Sequence, residues 1–248
     1  MIRVSHRLTE ISEEDYRQVA TAIAAADVFS RMITPCVYVA DLAKDNFLYV
    51  SDCLLKHFRC TREEVMPLGR KMFKRYVTKE SDVQLLGKFD RAFRSAYRQG
   101  YHPELADEVL SIDVGMRLGR NEVMVHQKVS VIAVSGDGRP WLVLGLVSRS
   151  AVREGGHIIV GNAKSHERCR FVDDEGSGHW EVMPFDRLSD IEVETLSLSS
   201  RGYSINEIAK MIGRSVPSVK HYRKRVFDRL GVDNVAHAIA VADDLCLI

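Results

Sequence analysis

The residues best equipped for chemistry are a run of cations near the C-terminus. Between Arg214 and Arg229 the chain carries Arg214, Lys220, Arg223, Lys224, Arg225 and Arg229 against the single acid Asp228, whereas the whole chain is nearly neutral, with 35 Lys and Arg against 34 Asp and Glu. A basic segment inside a neutral protein points to a delimited anionic partner. Lysine can bond the O6 and N7 acceptors of guanine, and arginines on phosphates fix register without reading sequence. The other reactive side chains offer less. Cys36, Cys53, Cys60, Cys169 and Cys246 are odd in number and form no Cys-x-x-Cys pair, so neither a disulfide framework nor a zinc site is expected. They read as buried or inert thiols in a reducing compartment. There is no Gly-x-Ser-x-Gly elbow and no His-Glu-x-x-His pair. The acidic clusters Glu13-Glu14-Asp15 and Asp173-Asp174-Glu175 read as a helix start and a solvated linker. Binding without catalysis and without a metal is the expectation.

The basic run must be held by helices, and the chain marks their ends. Ser189 to Glu192 and Ser204 to Glu207 each have the form of a capping box, so two helix starts lie fifteen residues apart. The second of these helices stops at Gly213, whose conformational freedom suits a tight turn. A third begins at Ser215 with Pro217 in its first turn, where a missing N–H costs nothing. Its spacing predicts a buried face of Val219, Tyr222, Val226 and Leu230 and an open face of Lys220, Arg223, Lys224 and Phe227. A short helix, a glycine turn and a basic amphipathic helix make a helix-turn-helix, whose second helix enters the major groove.

The motifs Leu188-Ser189, Glu192-x-Glu194, Gly202-Tyr203-Ser204, Glu207-Ile208-Ala209, Ser215-x-x-Ser218-Val219-Lys220 and Arg229-Leu230-Gly231-Val232 resemble the LuxR-type DNA-binding domain over residues 185–248. The family's usual Arg-Glu pair is Ile191-Glu192 here, which removes one basic contact of the first helix. Its usual Thr before Val-Lys is Ser218, which keeps the hydroxyl, and its frequent His is Tyr222. The resemblance implies base reading by Lys220, His221 and Lys224, supported by Ser218, with phosphate contacts from Arg223, Arg225 and Arg214. For His221 an exposed place near a phosphate is an equal alternative. The last helix, Val235 to Ala242, is apolar nearly all round. Val235, Ala238, Ile239 and Ala242 can cover the domain's core, which leaves Ala236, Ala240 and Val241 to meet a partner in a dimer on DNA or to pack on the sensor.

The rest of the chain reads as α+β. A helix from Glu13 to Ala26, capped by Ser12, precedes two apolar runs, Cys36–Ala40 and Phe47–Ser51, which form a hairpin around Asp41–Asn46. Thr61 to Glu64 caps a short helix. A longer helix from Lys79 to Gln99 turns Val83, Leu86, Phe89, Phe93 and Ala96/Tyr97 inward and ends at Gly100. The segments 109–118, 122–134 and 141–148 make an antiparallel meander. After a break at Gly155-Gly156, 157–162 and 168–173 form a further hairpin, and Asp174–Gly178 is the best linker. Hairpin, helices and meander over residues 26–152 resemble a PAS-like sensor, with local similarity at Val37–Asp41, Phe47–Ser51 and Arg62–Val65; where that family commonly has Asn after the second strand, this chain has Ser51. The expected order is an N-terminal helix (1–25), a PAS-like antiparallel sheet with helices (26–152), a hairpin extension and linker (153–184) and an all-α, four-helix DNA-binding domain (185–248).

That order excludes other partners for a LuxR-type domain. A phosphoacceptor receiver needs alternating parallel strands, and an ATP-driven module needs Gly-x-x-x-x-Gly-Lys-Ser/Thr, which is absent. Acyl-homoserine-lactone domains are rich in Trp, and this chain has only Trp141 and Trp180. Cys169 lies after the meander, whereas the cysteine of flavin-binding light sensors lies before it. His57 and His126 read as structural or exposed rather than as haem ligands, so no cofactor is expected. No run approaches the ~18 apolar residues of a membrane span, and Met1–Arg7 lacks the apolar run of a signal peptide, so the cytoplasm is expected. The expected function is that of a transcription regulator binding duplex DNA as a homodimer and controlled by a small-molecule or protein signal at the PAS-like domain. The alternatives are a metabolite-binding or enzymatic N-terminal domain with an autoregulatory DNA-binding tail, and a protein-interaction domain without a pocket.

Overall fold

The computed structural model describes residues 11–97, 108–162, 167–174, 177–183, 187–245 and 247–248. Two compact units result, one of residues 1–161 and 169–181, the other of 162–168 and 182–248. The first is built on an antiparallel sheet. Its strands β1 (Cys36–Asp41), β2 (Asn46–Val50), β3 (Glu108–Leu118), β4 (Asn121–Val134), β5 (Pro140–Arg149), β6 (Gly156–Asn162), β7 (Arg168–Asp174) and β8 (Ser177–Met183) lie in the order β2-β1-β5-β4-β3-β6-β7-β8. The expected hairpin and meander are present, with β1 paired to both β2 and β5 and β4 paired to both β3 and β5.

Every residue of β1 is buried, and the two-residue period of a strand explains how. Val37 and Val39 pack with Ala26 and Tyr49 under helix α1 (Glu13–Ser30), while Cys36, Tyr38 and Ala40 belong to the main core on the opposite face. That core is closed by α2 (Asp52–Phe58), α3 (Arg62–Val65), a 3-10 turn at Met66–Leu68, α4 (Lys71–Lys74) and α5 (Glu80–Ala96). Helix α1 starts at the expected cap, Ser12, which forms a capping box with Asp15, and docks through Tyr16, whose hydroxyl donates to Asp41 at 2.6 Å. The other oxygen of Asp41 accepts the amides of Ala43 and Lys44, so one carboxylate builds the β1–β2 turn and anchors α1.

Three expectations are corrected here. Val83 is 38% exposed; the inward face of α5 is Leu86, Phe89, Ala92 and Phe93. In its first turn Asp82 is buried instead, because its carboxylate accepts the amide of Gly115. The end of α5 expected at Gly100 lies outside the described residues. Asp174–Gly178, expected as a linker, instead joins β7 to an unforeseen strand, β8, and the two strands close on each other with Phe171 against Trp180. Cys36 and Cys53, expected as unlinked thiols, form a disulfide between β1 and α2.

Among its described residues the second unit holds four helices, α6 (Asp190–Ser200), α7 (Ile205–Met211), α8 (Val216–Leu230) and α9 (Val235–Asp244). Its small core joins Leu196, Val226, Leu230, Ala238, Val241, Ala242 and Leu245. A second cluster of Leu198, Ile208, Ala209 and Val219 joins α6 and α7 to the start of α8.

Candidate nucleic-acid interface

The tight link between α7 and α8 follows from two local features. Gly213 has φ +64°, a conformation that costs glycine nothing and lets the chain reverse within three residues of α7. Ser215 then caps α8 by accepting the amide of Ser218 at 3.2 Å, and the two hydroxyls bond each other at 2.8 Å. Val219, Val226 and Leu230 hold α8 to its neighbours, as expected from their spacing. Tyr222 is half-buried rather than buried, and Phe227 packs against the core of the unit instead of standing on the open face.

The cations divide into two groups. Lys220, His221, Lys224 and Arg214 are exposed, and among the described residues no carboxylate pairs with any of them. Lys220 and Lys224 are one turn apart and share a face. Arg223 is half-buried, with its guanidinium over the Phe227 ring at 5.8 Å. Arg225 and Arg229 are engaged with Glu192, which is fully buried. Arg225 Nε lies 2.9 Å from one carboxylate oxygen, and Arg229 Nη1 donates to the other at 2.6 Å and to the Arg187 carbonyl at 2.7 Å. Ser189 adds its amide and hydroxyl to that second oxygen. Burial pushes the Glu192 carboxyl up, but the Ser189 bonds and the two guanidinium charges outweigh it and hold it below the usual range. This clasp fixes α8 to the start of α6. The sequence shows Glu192 as a capping residue and as part of the LuxR-type motif, but nothing local announces partners more than thirty residues away.

Of the three residues expected to meet a partner from α9, Ala236 and Ala240 are exposed and Val241 is not. Val241 is 7% exposed within the core of its own unit, because α9 turns it, with Ala238 and Ala242, toward α6 and α8. A charged substitution there reports on folding, so the outward face of α9 rests on the two alanines.

The N-terminal unit offers a cavity of about 180 Å³. Phe73, Leu86, Phe89, Phe93, Val129 and Val143 give it apolar walls, and Arg70 and Lys71, paired with Asp90 and Asp45, stand among its lining residues. Tyr38 and Gln127 are buried there, the Gln127 amide donating to the Tyr38 hydroxyl, and burial pushes that phenol up to about 12. The Tyr38 ring has its place only because Gly145, opposite it on β5, lacks a side chain: an added Cβ would lie 2.0 Å from the ring carbon that bears the hydroxyl. Gly145→Ala is expected to destabilise this unit by about 1–3 kcal/mol, the cost of overpacking, and to reshape the cavity. Urea unfolding of the variant checks this, and an unchanged midpoint would show that Tyr38 does not occupy this place.

A capped helix, a glycine turn and a second helix with an unpaired basic face define a helix-turn-helix DNA-binding domain. Residues 186–242 match the family of bacterial regulatory proteins called the luxR family, and the C-terminal domain of this chain belongs to it. The chain is 32% identical over 76 residues to the transcriptional activator protein BglJ of Escherichia coli K12, a stretch covering 31% of this chain and 34% of that protein. The chain thus spans about a third of the length of that relative. Among solved structures, a phage VqmA–DPO complex is similar at 14% identity and TM-score 0.34, covering 96% of this chain and 92% of that one. The PAS domain of Bordetella pertussis BvgS is similar at 15% identity and TM-score 0.34, covering 55% of this chain and 88% of that one. No helix among the described residues is long and apolar enough to cross a membrane.

Proposed function

We propose that this protein is a sequence-specific transcription regulator that binds duplex DNA and performs no catalysis. Helix α8 enters the major groove, with Lys220, His221 and Lys224 toward base edges and Ser218, Arg223 and Arg214 toward phosphates. Arg225 has a double duty, since its Nε is committed to Glu192 while its side chain remains 42% exposed to a phosphate. Residues 26–152 form the sensor, whose cavity takes a small-molecule signal, and residues 185–248 form the DNA-binding domain. The protein acts as a homodimer on DNA, in the cytoplasm, with Ala236 and Ala240 at the contact between copies.

The observation that carries this reading is the separation of charges on α8. Cations needed to hold the helix are neutralised by a buried carboxylate, and the exposed ones on its open face have no carboxylate partner among the described residues. Unspent cations on one face of a groove-sized helix are what a polyanion with readable base edges requires. Selection from a pool of randomised duplexes tests it. A recurring sequence with two half-sites related by symmetry is expected; recovery of unrelated sequences at the yield of the starting pool would overturn it.

A further inference from the structure

The disulfide end of the sensor carries a third group that a disulfide does not need. Cys36 opens β1 on the face toward the main core, Cys53 lies in the first turn of α2, and their Cα atoms are 5.2 Å apart. His57 lies one turn further along α2, which puts its side chain above that of Cys53 on the same face. Its Nδ1 is 3.5 Å from Cys53 Sγ and 3.7 Å from Cys36 Sγ. The three ligand atoms all lie within 4.8 Å of one another.

These distances have a specific counterpart. In a tetrahedral zinc site with metal–sulfur bonds near 2.3 Å and metal–nitrogen bonds near 2.0–2.1 Å, each sulfur and nitrogen ligand are about 3.6 Å apart. Both sulfur–nitrogen edges of such a tetrahedron are therefore already present. A protein that works on DNA in the cytoplasm meets thiol reductants that keep cysteines open. Reduction by a cellular dithiol, itself oxidised to its disulfide, delivers two electrons and two protons and converts the bond into two thiols. Two soft sulfurs and an imidazole then surround one point, with Cys36 buried and Cys53 and His57 accessible from solvent.

We propose that reduced Cys36 and Cys53, together with His57, form a binding site for a thiophilic cation of the zinc(II) class, and that the disulfide is the closed state of that site. The ion takes two thiolates and Nδ1 and keeps a fourth position for water. Both thiol protons leave on binding. In the disulfide state the Nδ1–H of His57 donates to the Cys53 carbonyl at 2.8 Å; on binding, that ring proton moves to Nε2. The ion would clip α2 to β1, as the disulfide does. Since Phe58 of α2 packs against Phe73, a wall of the cavity, the clip sits one side chain away from the proposed signal site. The cation site rests on the sensor unit's own geometry and stands whether or not the chain regulates transcription, although the expectation of a reduced state uses that reading.

Cobalt(II) added to the full-length chain, reduced and kept free of oxygen, tests the proposal. One ion per chain is expected, with the charge-transfer absorption of cobalt–thiolate bonds and the d–d bands of a tetrahedral ion, both displaced by zinc(II). The oxidised chain should show neither. Cys53→Ser should abolish the charge-transfer band, and His57→Ala, an exposed change that leaves both thiols in place, should weaken binding by about tenfold or more. No charge-transfer band in the reduced chain would overturn the proposal and leave a redox disulfide alone. A band that survives Cys53→Ser would assign the ion to other thiols, and unchanged affinity in His57→Ala would remove the imidazole from the site; either result overturns it too.

Discussion

Arg229→Ala is expected to lower the stability of the C-terminal unit by about 3 kcal/mol. Removing one partner of a buried ion pair typically costs 3–5 kcal/mol, because the other charge is left without compensation inside the protein. Here Glu192 is fully buried and Arg229 only 24% exposed, while Arg225 remains as a second partner, which places the effect at the lower end. The pH dependence has a definite sign. The folded Glu192 carboxyl is held below its unfolded value, so its contribution is complete above the ordinary carboxylate range and is lost as pH falls through the folded value. The variant should therefore differ most from the parent near neutrality and converge with it in acid. Both tryptophans lie in the first unit, so tryptophan fluorescence in denaturant isolates that unit's transition, and the part of the helical ellipticity change that does not follow it reports on this one. A cost below 1 kcal/mol at neutral pH would show that Glu192 is hydrated and that the clasp holds nothing.

Phe47→Ala should cost the N-terminal unit about 3–5 kcal/mol, the usual range for deleting a buried aromatic ring. Phe47 is 1% exposed and its ring lies 5.1 Å from that of Tyr38 and 6.2 Å from that of Phe73. Those neighbours line the cavity, so the void opens beside it and the two rings relax into the space. Tryptophan fluorescence during urea unfolding follows this unit specifically. The midpoint should fall with an unchanged slope, the signature of lost stability with the same surface exposed. A midpoint within error of the parent would mean that the aromatic cluster is not packed as described.

Which parts of this were legible beforehand follows from the range of the signals. Alternating apolar residues and Asp- or Gly-rich turns report on neighbours a few residues away, so the β1–β2 hairpin, the β3–β5 meander, the Ser12 cap of α1 and the capping boxes of α3, α6 and α7 are all readable. The serine, glycine and proline around Gly213 made the helix-turn-helix readable for the same reason. The segment 174–178 has the composition of a linker, and only the pairing of the strands on either side of it, with Phe171 against Trp180, overrides that reading. Cys36 and Cys53 stand 17 residues apart on a strand and a helix, a spacing with no motif of its own. Glu192 reads as a cap at short range, and its arginine partners are visible only once α8 lies across α6. Val241 shows the same limit, since periodicity gives a helix two apolar edges and packing decides which of them is covered.

The separation of reading cations from structural ones is the centre of the account, and one measurement bears on it most directly. Affinities of the parent, Lys220→Ala and Lys224→Ala are determined at one fixed salt concentration on a duplex recovered by selection and on a scrambled duplex of equal length. Each lysine that reads a base should contribute about 1–3 kcal/mol on the selected duplex and far less on the scrambled one, narrowing the ratio between them. Equal losses on both duplexes, or none on either, would contradict the assignment of this face of α8 to sequence reading.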